Sequence, residues 1–438
     1  MAHCSGTSSR AQMQAHAHQL AARGELMQSH CPPVRAEAPG RVGATADDPM
    51  DQSQPAPSTG DIGPATPVVV TYMPDGNIDR LGHEWVTCTG IAQRLAALKR
   101  CDFVGHHDAS GGYAGEVYFV PSQTLVGTDA ARRLGIRGEH DLFGGVVPYP
   151  FLATKAISHG LTGPGAPAPE GWSHRFCDDV RDAVLAGFSV FSLEDARRAG
   201  AGLLQSGPVR LKPAGESGGR GQITVSDQAT LEAALCTLDP DELRRDGLVL
   251  EENLSEVATY SAGQVRVGDH VASYYGTQRL TPDNSGAPVY GGSDLVVVRG
   301  GWSALLAIGL PEPIRVAVAQ ARIYDEAASA HFPGLLASRR NYDIAQGLGT
   351  DGRPRSGVLE QSWRVGGASG AEVAALEAFA IDPALHVVKA STVEVFGHSV
   401  RPPEGATVYF CGVDGKVGPI TKFTLVERHA EHSHVDER

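Results

Sequence analysis

The 438-residue chain is short of what several function classes require. It has no basic excess: 37 Lys and Arg stand against 50 Asp and Glu, a formal net charge of −13. Sequence-independent binding to nucleic acid or anionic lipid needs a basic face, so no nucleic-acid partner and no membrane partner are expected. No apolar run approaches the roughly 18 residues of a transmembrane helix. The chain start carries no charged-then-apolar signal pattern, which makes the cytoplasm the expected compartment. Seven cysteines (4, 31, 88, 101, 177, 236, 411) form no CxxC pair and are odd in number. They read as reduced thiols, neither a disulfide frame nor a zinc site. The GxSxG match GESGG at 215–219 is followed by a strand-like run, where a nucleophile elbow opens a helix, so covalent acyl-enzyme chemistry has little sequence support.

A chain of this length suggests about two or three domains, and 42% hydrophobic content can build their cores. Residues 1–65 are rich in Ala, Gln, Ser, His and Pro without a sustained period, and are expected to be a disordered extension. Residues 429–438 read as a solvated tail, with a weak adventitious metal site at its histidines as the alternative. Between them, PVVVTYM (67–73) has the continuous apolar character of a buried parallel strand. A helix follows over 84–99, with Ile91, Leu95 and Leu98 on one face, then short strands at CDFVG and GEVYFVP. That alternation predicts a small α/β domain over 66–150. The next segment, VVPYPFLATKAISHGL, passes two prolines into a helix start at Ala153–Lys155. Lys155 would then sit in a first helical turn, where anions are favoured; an ordinary solvated lysine is the alternative.

Further on, helices are expected around 178–186, 193–204 and 229–238, with a strand at GLVLEENL (247–254). Among them lies LKPAGESGGRGQITVSD (211–227). It cannot be a P-loop or a dinucleotide fingerprint, because Lys212 precedes the glycines and the residues after Gly221 alternate like a strand. The stretch reads as strand, glycine-rich loop, strand: either a hairpin able to close over phosphates or a plain surface hairpin. A tight turn at Gly268–Asp269 joins two further strands, the glycine-rich segment GAPVYGGSDLVVVRGG leads to a helix expected near 313–331, and TVEVFG (392–397) with TVYFCGVDG (407–415) reads as a β-hairpin appendage. Residues 339–372 read as two strands joined by a loop at 349–356, then a glycine loop and a helix. Asp343 and Glu360 fall on opposite arms of that hairpin. Paired acids there suit Mg²⁺, a hard ion that takes one or two carboxylates plus phosphate oxygens. A salt-bridged hairpin is the alternative.

The order of these parts resembles the ATP-grasp superfamily over roughly residues 140–395. The carrying motifs are Lys155; RLKPAGESGGRG with Lys212; VLEENL with Glu251 and Glu252; and Asp343 followed by LEQSWR with Glu360 and Arg364. VVPYPFLATKAISHGL and GVLEQSWRVGGASGAE also look like an uncharacterised bacterial family within that superfamily. The resemblance implies an α/β (α+β) ATP-grasp fold: a preceding domain at 66–150, a lid subdomain at 151–254, a metal-binding subdomain at 255–395 and a β-hairpin appendage at 396–428. It implies ATP and Mg²⁺ (or Mn²⁺) as cofactors. Lys155 and Lys212 would contact phosphates, with Lys212 in reach of the base, and Gly215, Ser217, Gly218, Gly219 and Gly221 would close over them. Glu251, Glu252, Asn253 and Leu254 would hold adenine; Asp343, Glu360 and Ser362 would hold the metal; Arg364 would be catalytic. Ser362 stands where the superfamily usually has asparagine, and the ribose acid has no clear equivalent, Glu256 and Thr259 being nearest. Asn253 and Gln346 lie beside the expected site, Gln346 with no role assigned. An acceptor pocket is expected among 276–300 and 339–341, where Arg279, Arg339 and Arg340 suit an anionic substrate; solvated loops are the alternative. The implied activity is a ligase joining a small carboxylate to an amine or thiol, with a non-catalytic ATP-binding protein as the alternative. A biotin-carrier carboxylase is disfavoured, since no carrier segment is visible, and a homodimer is compatible with the sequence.

Overall fold

The computed structural model describes residues 66–74, 76, 79–215, 221–398 and 400–427. The expected extension (1–65), the tail (429–438) and the loop residues Ser217, Gly218 and Gly219 lie outside the described residues.

The first domain follows from its apolar patterning. Strands β1 (Val68–Tyr72), β2 (Asp102–His106) and β3 (Val117–Pro121) form a parallel sheet in the order β2-β1-β3. β1 is central, so its middle residues are buried, as its unbroken apolar run requires. Helix α1 (His83–Lys99) buries Ile91 and Leu95 and ends at Arg100, which takes the left-handed conformation (φ 56) that usually falls to glycine. Short strands β4 (Leu125–Val126) and β5 (Gly145–Val147) flank helix α2 (Thr128–Arg133) and lead to two 3₁₀ turns, Pro150–Ala153 and Lys155–Ser158.

The second unit is a four-stranded sheet. β6 (Gly187–Val190), β7 (Val209–Pro213), β8 (Ile223–Val225) and β9 (Leu248–Glu252) are ordered β6-β9-β7-β8, with helices α4 (Leu193–Leu203), α5 (Gln228–Leu235) and α6 (Pro240–Asp246). The helix expected around 178–186 is instead α3 (His174–Asp179), followed by a 3₁₀ turn at Arg181–Ala183. The Ser173 hydroxyl accepts from Phe176 N at 3.1 Å and starts the helix earlier than the apolar spacing suggested.

An eight-stranded sheet carries the rest. Its strands are β10 (Ser255–Val267), β11 (His270–Pro282), β12 (Pro288–Arg299), β14 (Arg339–Leu348), β15 (Pro354–Ser362), β16 (Val387–Phe396), β17 (Thr407–Asp414) and β18 (Gly418–Glu427). They run β15-β14-β10-β11-β12-β16-β18-β17, while β13 (Leu336–Ala337) pairs with β5 instead. Helices α7 (Trp302–Leu306) and α8 (Glu312–His331) follow β12, and α9 (Ser369–Ile381) follows β15. Val318, Ala321 and Tyr324 of α8 cluster with Ala262, Tyr342 and Ile344 of the sheet. Leu376 and Phe379 of α9, with Ile91 and Leu95 of α1, cluster with Val265, Tyr274 and Val297.

The glycine-rich segment before α8 is mostly strand β12. Gly292 (φ 126) is there because a Cβ would overlap the Thr392 carbonyl of the neighbouring strand, so its glycine marks close approach. One expectation about the sheet needs correction: residues 392–397 and 407–415 do not pair with each other. β18 lies between them, the C-terminal hairpin is β17–β18, and both strands extend the large sheet.

Gly357 of β15 is where the second unit touches this sheet, and a Cβ there would overlap the backbone of Val184 and Leu185. Gly357→Ala is therefore expected to cost about 1–3 kcal/mol, the usual range for overpacking. Gly112→Ala, which meets nothing within 4 Å, should stay within about 0.5 kcal/mol of wild type. Urea denaturation of the two variants checks the contrast.

Candidate active site

Four separate stretches bring charged side chains together, and each is placed by its local structure. Thr154 caps the Lys155–Ser158 turn, its hydroxyl oxygen accepting from Ala156 N at 3.2 Å. The expected helix start is thus a single 3₁₀ turn. Lys155 is 5% exposed and pairs with Glu360 Oε2 at 3.2 Å, so it is no solvated surface lysine.

Lys212, on β7, is buried and ion-paired with Glu251 Oε1. Glu251 ends the central strand β9, and its second oxygen lies 3.3 Å from His159 Nε2. All three side chains are 3% exposed or less. Burial pushes the Glu251 carboxyl up; the Lys212 ammonium and the His159 ring outweigh it and hold the group below the ordinary glutamate value. His159 was not singled out from sequence, where one histidine after a turn carries no signal. Glu252 points elsewhere: its Oε1 accepts from Ala186 N at 3.1 Å and its Oε2 lies 3.6 Å from Arg355 Nε. Asn253 Oδ1 accepts from Arg210 Nη2 at 2.7 Å, and Leu254 packs with Leu185, Ala345 and Leu359. β7 and β8 pair around the glycine loop, as strand–loop–strand demands, and Gly215 and Gly221 (φ 67) stand at its ends.

The acid pair comes from ladder register, which sets Asp343 of β14 directly opposite Glu360 of β15. Asp343 Oδ1 accepts from Ser261 Oγ and from Asn341 Nδ2, each at 3.0 Å. Burial first, and the neighbouring Glu360 charge second, raise the Asp343 carboxyl above its ordinary value. Two adjacent carboxylates, one of them desolvated, are a donor set that a hard divalent cation fits. Among the described residues, no group of three or more His, Cys, Asp and Glu could hold a metal, so any further ligand beside these two acids would come from another oxygen donor. Ser362 does not suit the third place, because its hydroxyl accepts from Arg339 Nη1 at 3.1 Å and so faces a cation. Arg364 donates from Nη1 to Val365 O at 3.0 Å, and burial together with the Arg339 charge lowers its pKa.

The arginines expected in an acceptor pocket have other partners. Arg339 is buried against Glu372, Arg340 pairs with Glu139 at 2.6 Å and Asp325 at 3.1 Å, and Arg279 pairs with Asp294 at 3.2 Å. An anionic acceptor would have to displace carboxylates already in place. Gln346 donates to Pro313 O at 2.7 Å. Glu256 is exposed at positive φ (50) near the start of β10, and Thr259 is paired with Ala345 in the ladder.

The family described as "Protein of unknown function (DUF3182)" matches residues 71–424, and the chain belongs to that family. No curated protein matches the chain. Among solved structures, N5-carboxyaminoimidazole synthetase from Staphylococcus aureus is similar at TM-score 0.46 and 10% identity, covering 83% of this chain and 94% of that one. Carboxyaminoimidazole ribonucleotide synthase from Aspergillus clavatus, complexed with ATP, is similar at TM-score 0.44 and 14% identity, covering 83% and 94%. D-alanyl-alanine synthetase A from Vibrio cholerae is similar at TM-score 0.41 and 10% identity, covering 67% and 89%.

The Lys212–Glu251 pair generates a stability prediction. Lys212→Met leaves a buried carboxylate with His159 alone and should cost about 3–5 kcal/mol at neutral pH. Adding Glu251→Gln should recover part of that loss. A carboxyl held below its ordinary value stabilises the fold above the unfolded-state pKa, and this contribution is lost as pH falls through the folded value. Urea denaturation from neutral to acid pH should therefore show a loss in wild type that is smaller in the double variant.

Proposed function

We propose that this member of the DUF3182 family is an ATP- and Mg²⁺-dependent ligase of ATP-grasp type, which activates a carboxylate as an acyl phosphate for attack by an amine or thiol. The observation that carries the reading is the meeting of two buried lysines from separate segments, Lys155 and Lys212, with the acids of the neighbouring strands. Cations on flexible stems suit phosphate oxygens. Lys155 and Lys212 would bind the polyphosphate, Gly215 and Gly221 would frame the loop over it, and the end of β9 from Glu251 to Leu254 would hold the base. Asp343 and Glu360 would hold Mg²⁺, which supplies charge neutralisation for the transferred phosphoryl group. Arg364 would stabilise the same charge. The chain's part in the chemistry is to position reactants and neutralise charge. A cytoplasmic setting belongs to this reading; Cys88, Cys101, Cys177, Cys236 and Cys411 are free, and no helix among the described residues is long and apolar enough to cross a membrane.

One observation favours a second reading, a non-catalytic ATP-binding protein: Ser362 faces Arg339, which leaves the metal without it as a ligand. Calorimetry tests what both readings share. ATP should bind only with Mg²⁺ or Mn²⁺ present, and at a hundredfold excess over Kd it should stabilise the fold by about 2.7 kcal/mol. No MgATP binding at millimolar concentration would remove both readings.

Glu360→Gln separates them. In a ligase it should reduce ADP release far more than MgATP affinity, as expected of an interaction made mainly in the transition state. Equal ADP release by wild type and variant would favour the binder.

A further inference from the structure

Beside the acid pair stands an arrangement that neither the nucleotide nor the metal calls for. Arg339 opens β14, four residues before Asp343 and on the same face by strand alternation. Its side chain is 1% exposed, and that of Glu372, in the first turn of α9, is 0% exposed. Nε donates to the two Glu372 oxygens at 3.1 and 3.0 Å, and Nη2 donates to Oε1 at 2.7 Å. Nη1 reaches the other way. It donates to Ser362 O at 3.1 Å, to Ser362 Oγ at 3.1 Å and to Arg364 O at 2.8 Å. These acceptors lie at and just past the last pair of the β14–β15 ladder, Asn341 with Ser362. A side chain stands there in place of a strand partner.

We propose that Arg339, clamped by Glu372, is a positioning residue that fixes the backbone at Ser362 and Arg364 and so sets where the Arg364 guanidinium stands relative to Asp343 and Glu360. This rests on the phosphoryl-transfer reading of the site. Stability is a poor reason for such a pair, because desolvating both ions offsets most of their attraction. Geometry is a better one. A planar fork can hold a carboxylate with one edge and backbone carbonyls with another, which a lysine cannot do. The clamp is itself held: the Tyr274 hydroxyl donates to Glu372 Oε1 at 2.6 Å. The same face carries Asn341, whose Nδ2 donates to Asp343 at 3.0 Å, so one polar network reaches both the metal acids and the arginine. Arg339 cannot touch a substrate from its buried position; it acts through Arg364.

The test compares MgADP with MgADP plus aluminium fluoride, a mimic of the phosphoryl group in transfer, by calorimetry on the full chain. It needs no knowledge of the carboxylate. Wild type should bind the fluoride complex at least tenfold more tightly than MgADP alone. Arg339→Lys keeps the charge and loses the fork; it should keep MgADP affinity within about threefold and lose most of the fluoride gain. Equal weakening of both ligands, or an undiminished gain, would overturn the proposal. If Arg339→Lys does not fold, Tyr274→Phe decides, since it removes a hydroxyl that bonds Glu372 and stands 2.9 Å from Asn341 Oδ1: a reduced fluoride gain at unchanged MgADP affinity supports the proposal, and an unchanged gain sinks it. Wild type binding MgADP with no fluoride gain overturns the positioning role while leaving the binder reading intact. Wild type failing to bind MgADP at all removes the functional reading itself.

Discussion

A carboxylate taken out of water must be met by a cation or by several donors, and this requirement organises the molecule. Glu251 is met by Lys212 and His159, Glu372 by Arg339 and Tyr274, and Asp343 by Ser261 and Asn341. In each case at least one of the answering groups comes from another element. β9 is thereby tied to β7 and to the turn after Lys155, and α9 is tied to β14 and β11. Since removing one member strands the other, these pairs set local geometry more firmly than apolar contacts of similar area would.

The eight-stranded sheet makes this economical. Alternation gives it one face for α8 and another shared by α9 and α1. The last strands also reach the first domain. Asp414, at the end of β17, accepts from His83 N at 2.8 Å, and so supplies the N-terminus of α1 with the acceptor that Gly82 lacks. The C-terminal hairpin is therefore part of what holds α1, and through it β1, against the sheet.

Much of this was legible from the residues. The apolar run of β1 and the hairpin after Val267 have periods that local chemistry alone enforces. The placing of Asp343 and Glu360 on opposite arms of one hairpin follows from two strands and a loop, whereas their direct pairing depends on a register shift between Asp343 and Ile344. What failed depended on partners distant in sequence. Gly292 and Gly357 give no sign of close approach until the strand or turn pressed against them is known. Arg339, with Arg340 beside it, looks like a substrate anchor until Glu372 is found 33 positions further along. His159 acquires meaning only because β9 delivers Glu251 to it. Ser362 reads as a weak metal ligand from its position and as the acceptor of a buried guanidinium from its surroundings.

The resting pairs bear on how a nucleotide would enter. Lys155 is engaged with Glu360 and Lys212 with Glu251. A triphosphate arriving alone would offer new partners to the lysines while setting its negative charge beside two released carboxylates. A divalent ion alone would take Glu360 and Asp343 and leave Lys155 facing a cation. On the proposed reading the two together would leave fewer charges unmet than either alone: phosphate oxygens would replace the carboxylates around the lysines, the metal would replace Lys155 at Glu360, and Glu251 would keep His159. Each ligand would then lower the obstacle to the other, and binding of the two would be coupled through these charges. The binder and the ligase share this exchange in full. They part beyond it, at Arg364, where a charge that no carboxylate contacts either meets a phosphoryl group in transfer or does not.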